Sequence, residues 1–225
     1  MPLVIDDDYV GNVVVAGPAQ VRRLPGALIA KLAVGPMSNN AYLLRCTETG
    51  EGLLIDAANE APRLKELARL EGPAVSMVLT THRHQDHWQA LADIVEDAGA
   101  ATFAGEDDAD ELPVAIDERL AHGDTITVGE LLLDVVGLRG HTPGSVAVAY
   151  ADANGRTHLF TGDSLFPGGV GKTWAPEDFQ SLIADVEERL FGVFPDDTWV
   201  YPGHGDDTTL GAERPSLPEW RARGW

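Results

Sequence analysis

Four residues able to bind a metal ion fall within six positions of this chain, in the segment Thr81-His82-Arg83-His84-Gln85-Asp86-His87. Imidazole nitrogen and carboxylate oxygen are ligands that borderline divalent ions such as zinc accept. Residues 74–80 read as a short buried strand, and residues 88–98 place Leu91, Ile94 and Val95 on one face of a helix. The ligands therefore lie at a strand-to-helix turn, and turns at the carboxyl ends of strands are where α/β sheets place their sites. His82, His84 and Asp86 share parity, so extended backbone points them to one side. His87 joins them only where the chain bends, and the bend is expected between Asp86 and His87.

Three more ligand-type residues, His141, Asp163 and His204, sit in glycine-flanked turns downstream. A catalytic zinc ion needs about three protein ligands and a position for water. Seven such residues suit a centre of two divalent ions, with zinc the first choice and iron or manganese the alternatives. His122 and His158 lack this context and are read as structural, the first in a loop before Gly123-Asp124 and the second in a strand.

At 225 residues and 44% hydrophobic content the chain can bury one sizeable core. Residues 1–225 are read as a single domain, with an irregular lead-in over 1–26 and a short C-terminal tail over 206–225. Sixteen Lys and Arg against 36 Asp and Glu give a net charge of −20, which repels phosphate backbones and anionic membranes. No nucleic-acid or membrane partner is expected, and the oligomeric state is left open. The acidic runs at 6–8 and 106–111 are read as solvated surface without chemistry. Cys46, the only cysteine, cannot form an intrachain disulfide and lies in an apolar strand. The chain opens without a basic-then-apolar leader and has no apolar run near about 18 residues, so a cytoplasmic location is expected.

Strands are expected at 28–34, 41–46, 52–56, 74–80, 101–103, 114–116, 125–128, 131–136, 146–150, 158–161 and 198–201, with one edge strand at 13–15. Helices are expected at 60–70, 88–98 and 179–191. Strand-rich halves with interspersed helices imply a layered α/β sandwich.

Five motifs occur in order: 81–87; Gly140-His141-Thr142-Pro143-Gly144-Ser145; Phe160-Thr161-Gly162-Asp163-Ser164-Leu165-Phe166; Gly171-Lys172; and Pro202-Gly203-His204-Gly205 with Thr208-Thr209-Leu210-Gly211. In these the chain resembles the metallo-β-lactamase superfamily, and within it the glyoxalase II-like hydroxyacylglutathione hydrolases. The similarity runs from about residue 28 to 215 and includes Asn40-Ala41-Tyr42-Leu43-Leu44. It implies a four-layer αββα sandwich with metals in a cleft at one edge of the two sheets. By the same resemblance His82, His84 and His141 hold the first metal, Asp86, His87 and His204 the second, and Asp163 bridges them. Asp86 and Asp163 are the catalytic carboxylates, and Asp56 orients a ligand histidine through its free ring N–H. Two close cations lower the pKa of a shared water and polarise a carbonyl, so the nucleophile is hydroxide rather than Ser145, Ser164 or Thr142.

The resemblance further implies cleavage of a small thioester, a hydroxyacyl-glutathione or related thiol conjugate. Lys172, after the flexible Gly168-Gly169-Val170-Gly171, resembles the lysine that glyoxalase II enzymes present to glutathione, and Trp88 and Trp174 are expected to wall the cleft. The chain departs from the pattern in two places. Trp88-Gln89-Ala90 stands where small residues are usual, and only about twenty residues follow His204, without the family's C-terminal helical domain. Arg221 and Arg223 are the cations available to replace that domain's contacts. Two alternatives stay open. One is a persulfide dioxygenase with a single iron on His82, His141 and Asp163, and the other is a non-catalytic module that binds metal or a thiol conjugate.

Overall fold

The computed structural model describes residues 3–224. Among these, eight strands form one sheet in sequence order: β1 (Ile5–Asp6), β2 (Ala19–Leu24), β3 (Ala27–Val34), β4 (Asn39–Cys46), β5 (Gly52–Ile55), β6 (Met77–Thr80), β7 (Ala101–Gly105) and β8 (Glu118–Leu120). Neighbours from β2 to β5 run antiparallel, and those from β5 to β8 parallel. The second sheet joins β9 (Thr125–Val128), β10 (Leu131–Gly137), β11 (Val146–Ala151) and β12 (Thr157–Gly162) as antiparallel neighbours. After the hairpin of β13 (Leu165–Phe166) and β14 (Gly169–Val170), β15 (Trp199–Pro202) adds parallel to β12, and β16 (Thr208–Thr209) closes the edge.

Strands β3 and β4 are buried at every position, so both faces of the first sheet are covered. On one face Ile29, Tyr42 and Leu44 meet Phe160 and Tyr201 of the second sheet. On the other, Leu28, Leu43 and Leu54 lie under α1 (Ala61–Leu67) and α2 (Leu91–Ala98), which contribute Leu64, Leu91 and Ile94. The far face of the second sheet carries α3 (Pro176–Val186), whose Phe179, Leu182, Ile183 and Val186 repeat at helical spacing against Leu159 and Val200. Two more helices, α4 (Leu210–Glu213) and α5 (Leu217–Arg223), complete that layer. The layers run helix, sheet, sheet, helix, which is the αββα sandwich expected.

Several local expectations differ from the structure. Residues 13–15 form no strand: Val14 is 62% exposed, and Ala16 turns the chain with φ 64°, so these valines have no partner strand. The lead-in is instead ordered as β1 and β2. Residues 114–116 also form no strand, because β7 pairs with β8 and the Ala115 carbonyl accepts from Thr102 Oγ1. The bend in the ligand segment begins two residues earlier than expected, in a 3-10 turn over Gln85–His87 that follows extended His84. The C-terminal tail is helical and packed. Trp220 is fully buried beside Phe191, and Arg221 is paired with Glu187, away from the ligand cluster. No helix among the described residues is long and apolar enough to cross a membrane.

Candidate metal centre

Four strand ends and connections deliver the cluster to one edge of the sandwich. The turn after β6 carries His82, His84, Asp86 and His87; the β10–β11 connection carries His141; Asp163 follows β12 and His204 follows β15. The pairing of β12 with β15 is irregular between Phe160 and Gly162, and Gly162 has φ 50°. Such an irregularity re-aims the next side chain, here Asp163, out of the strand alternation. Gly162 has no room for a side chain either, since a Cβ there would sit 2.8 Å from Thr81 Cβ.

Three groups of potential ligand atoms result: His82, His84 and His141; His82, His87 and Asp163; and Asp86, His87 and His204. All seven residues named from the sequence are therefore brought together. His84 Nδ1 lies 3.0 Å from His141 Nε2, and His87 Nε2 lies 3.3 Å from His204 Nε2. Asp86 Oδ2 is 3.3 Å from His204 Nε2 and 3.5 Å from His87 Nε2. Asp163 Oδ1 is 3.4 Å from His87 Nε2, while its Oδ2 is 3.5 Å from His204 Nε2 and 3.7 Å from His141 Nε2, so it faces both groups. A tetrahedron with arms of about 2.0–2.1 Å has edges of about 3.3–3.4 Å, and these separations, from 3.0 to 3.7 Å, lie on either side of it.

The outward nitrogens of four of the five imidazoles are engaged, which fixes those rings. His87 Nδ1 donates to Asp56 Oδ2 at 2.8 Å, His141 Nδ1 to the Lys172 carbonyl at 2.8 Å, and His204 Nδ1 to the Met37 carbonyl at 3.1 Å. Thr81 Oγ1 donates to Asp56 Oδ2, which leaves it to accept from His82 Nδ1 at 3.0 Å. The inward Nε2 of His82 and Oδ1 of Asp163 are buried with no hydrogen-bond partner. Buried polar atoms left unpaired at such cost, and aimed at one another's neighbours, fit a bound cation.

Electrostatics agree with that fit. Burial, added to by the neighbouring imidazoles, holds His82 well below its usual range. Burial acts the same way on His87, but the carboxylates of Asp56 and Asp163 outweigh it and raise His87 well above that range. The hydrogen bond from His204, with that from Asn39, lowers Asp86 despite burial. For Asp163 burial opposes ionisation, yet the positive charge of His87 holds it lowered. The carboxylates thus stay charged and call for positive charge between them.

Asp56 has φ 58°, in the left-handed region, and accepts from Thr81 N as well as from Thr81 Oγ1 and His87. Asp56→Asn, which tolerates the same backbone, is expected to weaken metal binding roughly 10–100-fold. Competition with a chromophoric chelator measures this, and an unchanged affinity would restrict Asp56 to holding the turn.

Sequence reasoning missed three supports. Asn39 Nδ2 donates to Asp86 Oδ2 at 2.8 Å, and the Lys172 and Met37 carbonyls orient their histidines through the main chain, where side-chain identity gives no signal. Asp108, read as solvated surface, is fully buried. It accepts from Arg83 N at 3.0 Å, from Gly144 N at 2.9 Å and from Thr142 Oγ1, tying the His82–His84 segment to the His141 turn.

Two cavities flank the cluster. One, of about 620 Å³, is lined by His141, Asp163, His204, Phe166, Pro167 and Lys172. The other, of about 360 Å³, holds His84, His141 and Trp174. Lys172 Nζ sits 4.2 Å from the Trp174 ring centroid on the rim between them. Trp88 lines neither: its ring packs on the core under α1 and α2, and its Nε1 donates to the Arg83 carbonyl at 2.8 Å. It braces the ligand turn from behind rather than walling the cleft. His158 is buried against Tyr201 and Asp152, and His122 is exposed, both away from the cluster.

Comparison with known proteins places this arrangement. The protein is 35% identical over 172 residues to a hydroxyacylglutathione hydrolase of Polaromonas sp. strain JS666, an alignment covering 74% of this chain and 62% of that one. The chain thus spans less than two thirds of that relative's length. Among solved structures, ETHE1 from Myxococcus xanthus superposes with a TM-score of 0.75 at 28% identity, covering 86% of this chain and 84% of that one. TTHA1623 in a di-iron-bound form gives 0.69 at 31% identity, covering 84% and 98%. The family model described as the Metallo-beta-lactamase superfamily matches residues 34–204, from the end of β3 to the last histidine of the cluster, and the chain belongs to that superfamily.

Proposed function

We propose that the protein is a metal-dependent hydrolase that cleaves a small thioester, a hydroxyacyl-glutathione or related thiol conjugate, with two divalent ions, zinc being the fitting metal. The observation that carries this is the complete set of seven ligand-type residues, with His82 Nε2 and Asp163 Oδ1 buried and unpaired and the outward ring nitrogens of His82, His87, His141 and His204 engaged. The name and sequence similarity of the hydroxyacylglutathione hydrolases support the substrate class.

His82, His84 and His141 would hold one ion, Asp86, His87 and His204 the other, with Asp163 facing both. When bound, the ions supply hydroxide near neutral pH and draw charge from a carbonyl oxygen. Asp86, charged and fixed by Asn39, is a pure acceptor beside the inward nitrogens of His87 and His204 and orients a water by taking its hydrogen bond. No serine competes for the role. Ser145 is engaged with Thr142, and the histidines near Ser164 are turned to the cluster, so neither hydroxyl has a base. A thiolate leaving group, with pKa about 8.5, departs without an acid, which suits a cluster whose imidazoles are all committed. Phe166 and Pro167 offer an apolar wall for the acyl chain, and Lys172 with Trp174 offers a cation and a flat face for the carrier.

Protein purified without added metal is expected to contain two divalent ions per chain and to hydrolyse lactoylglutathione. One iron per chain with oxygen consumption on glutathione persulfide would replace the hydrolase with a dioxygenase, and bound metal without turnover of either would leave a binding module.

A further inference from the structure

The smaller cavity carries charges that the hydrolysis does not use. Arg83, Arg139, Asp107 and Asp178 line it together with Trp174 and His84. The Arg83 guanidinium makes no hydrogen bond among the described residues, and its nearest acids are distant, Asp108 Oδ1 at 3.7 Å and Glu111 Oε1 at 3.8 Å. Arg139 spends Nε and Nη2 on Asp185, leaving Nη1 without a partner among the described residues. The side chains of Asp107 and Asp178 enter no ion pair or hydrogen bond among the described residues. Two cations and two anions therefore face one space without pairing with each other.

We propose that this cavity is a subsite for a zwitterionic α-amino-acid group, the charged end of the thiol carrier; this rests on the proposed thioester hydrolysis. The planar guanidinium of Arg83 suits a carboxylate, since its donors match two oxygens side by side. Asp107 and Asp178 suit an ammonium. A dicarboxylate would meet the two aspartates and a diamine the two arginines, so the mixed lining selects for a group with both signs. The cavity of about 360 Å³ has room for roughly ten non-hydrogen atoms at about 30 Å³ each, enough for an amino-acid residue and the peptide bond that joins it. Arg83 is also held in place, because its backbone N–H is bonded to buried Asp108 while the ring of Trp88 is bonded to its carbonyl. Trp174, 68% exposed, lines the same space.

The test is calorimetric titration of the metal-loaded protein with S-methylglutathione, a thioether that cannot be hydrolysed, and with its N-acetylated form. The free-amine ligand is expected to bind about tenfold tighter. Arg83→Gln weakens both ligands about tenfold with metal content unchanged, and Asp107→Asn with Asp178→Asn abolishes the discrimination between them. Absent or equal binding of the two ligands by the unsubstituted protein, or full binding by Arg83→Gln, overturns the subsite. Binding is read without turnover, so a protein that discriminates the ligands but leaves lactoylglutathione intact refutes the hydrolase and not the subsite.

Discussion

Gly203→Ala is expected to cost the protein its metal and at least 100-fold of its activity while leaving it folded. A Cβ at residue 203 would lie 2.7 Å from His87 Cε1 and closer still to Asp163 Oδ1, the acid that faces both ligand groups. Neither neighbour can step aside. His87 is fully buried with Nδ1 held by Asp56, and the backbone at Gly203 is fixed on both sides, its N–H on the Gly162 carbonyl at 2.8 Å and its carbonyl on Asn40 N at 2.7 Å. Overpacking of this kind costs about 1–3 kcal/mol, less than the roughly 5–15 kcal/mol that holds a domain together. The loss therefore falls on ligand geometry, where displacement of orienting groups alone costs 10–100-fold and displacement of ligands more. Gly205→Ala is the control. Its φ of 73° adds about 1–2 kcal/mol of strain, but a Cβ there meets nothing within 4 Å, so both ions are retained. Elemental analysis after gel filtration, beside thermal melts, separates the two variants, and two ions retained in Gly203→Ala would mean that the edge of the sheet relaxes around the extra methyl.

The residues of the cluster were legible because each belongs to a local pattern. Glycine-flanked His141, Asp163 and His204 each follow an apolar run, and the four in 81–87 are nearly contiguous, so their residue types and turn positions could be read without knowing what lies across the fold. Long strands buried on both faces, such as β3 and β4, were equally legible as continuous apolar runs. The failures share one physical cause, which is partnership across large sequence separations. Val13-Val14-Val15 has strand propensity but no strand to pair with, and Asp108 is acidic within an acidic run yet buried because Arg83, Thr142 and Gly144 offer it donors. Trp88 follows a ligand in sequence but points to the helix layer, since the 3-10 turn begins at Gln85 and rotates it behind the site. Lys31 gave the clearest unread signal, a single lysine inside the apolar strand Ala27–Val34.

Lys31→Met is expected to lower the melting temperature by roughly 6 to 20 °C, from about 3–5 kcal/mol for breaking a buried ion pair and about 2–4 °C per kcal/mol in a chain of this size. Lys31 is fully buried between the sheets, and all three of its protons are used: Nζ donates to the Gly11 carbonyl at 2.7 Å, the Gly205 carbonyl at 2.8 Å and Asp207 Oδ1 at 2.7 Å. Asp207 Oδ2 accepts from Tyr9 Oη at 2.6 Å and Trp199 Nε1 at 2.8 Å. Burial lowers the Lys31 pKa and Asp207 opposes that shift, the balance of a charge kept inside by its partner. Removing the lysine leaves Asp207 charged and buried with only neutral donors, and it takes from the carbonyl next to His204 one of its two donors, leaving Asn40 Nδ2 at 2.9 Å. Metal affinity should therefore fall together with stability. Adding Asp207→Asn to Lys31→Met removes the stranded charge while its amide oxygen still accepts from Tyr9 and Trp199, so stability should return in part, whereas the Gly205 carbonyl still lacks the lysine and keeps only Asn40, so metal affinity does not recover. If the double variant melts as low as the single one, the loss comes from the bonds that Lys31 makes to the Gly11 and Gly205 carbonyls, which then keep only Asp207 N and Asn40 Nδ2 as donors, and the lysine acts as a clasp on two loops rather than as a counter-ion.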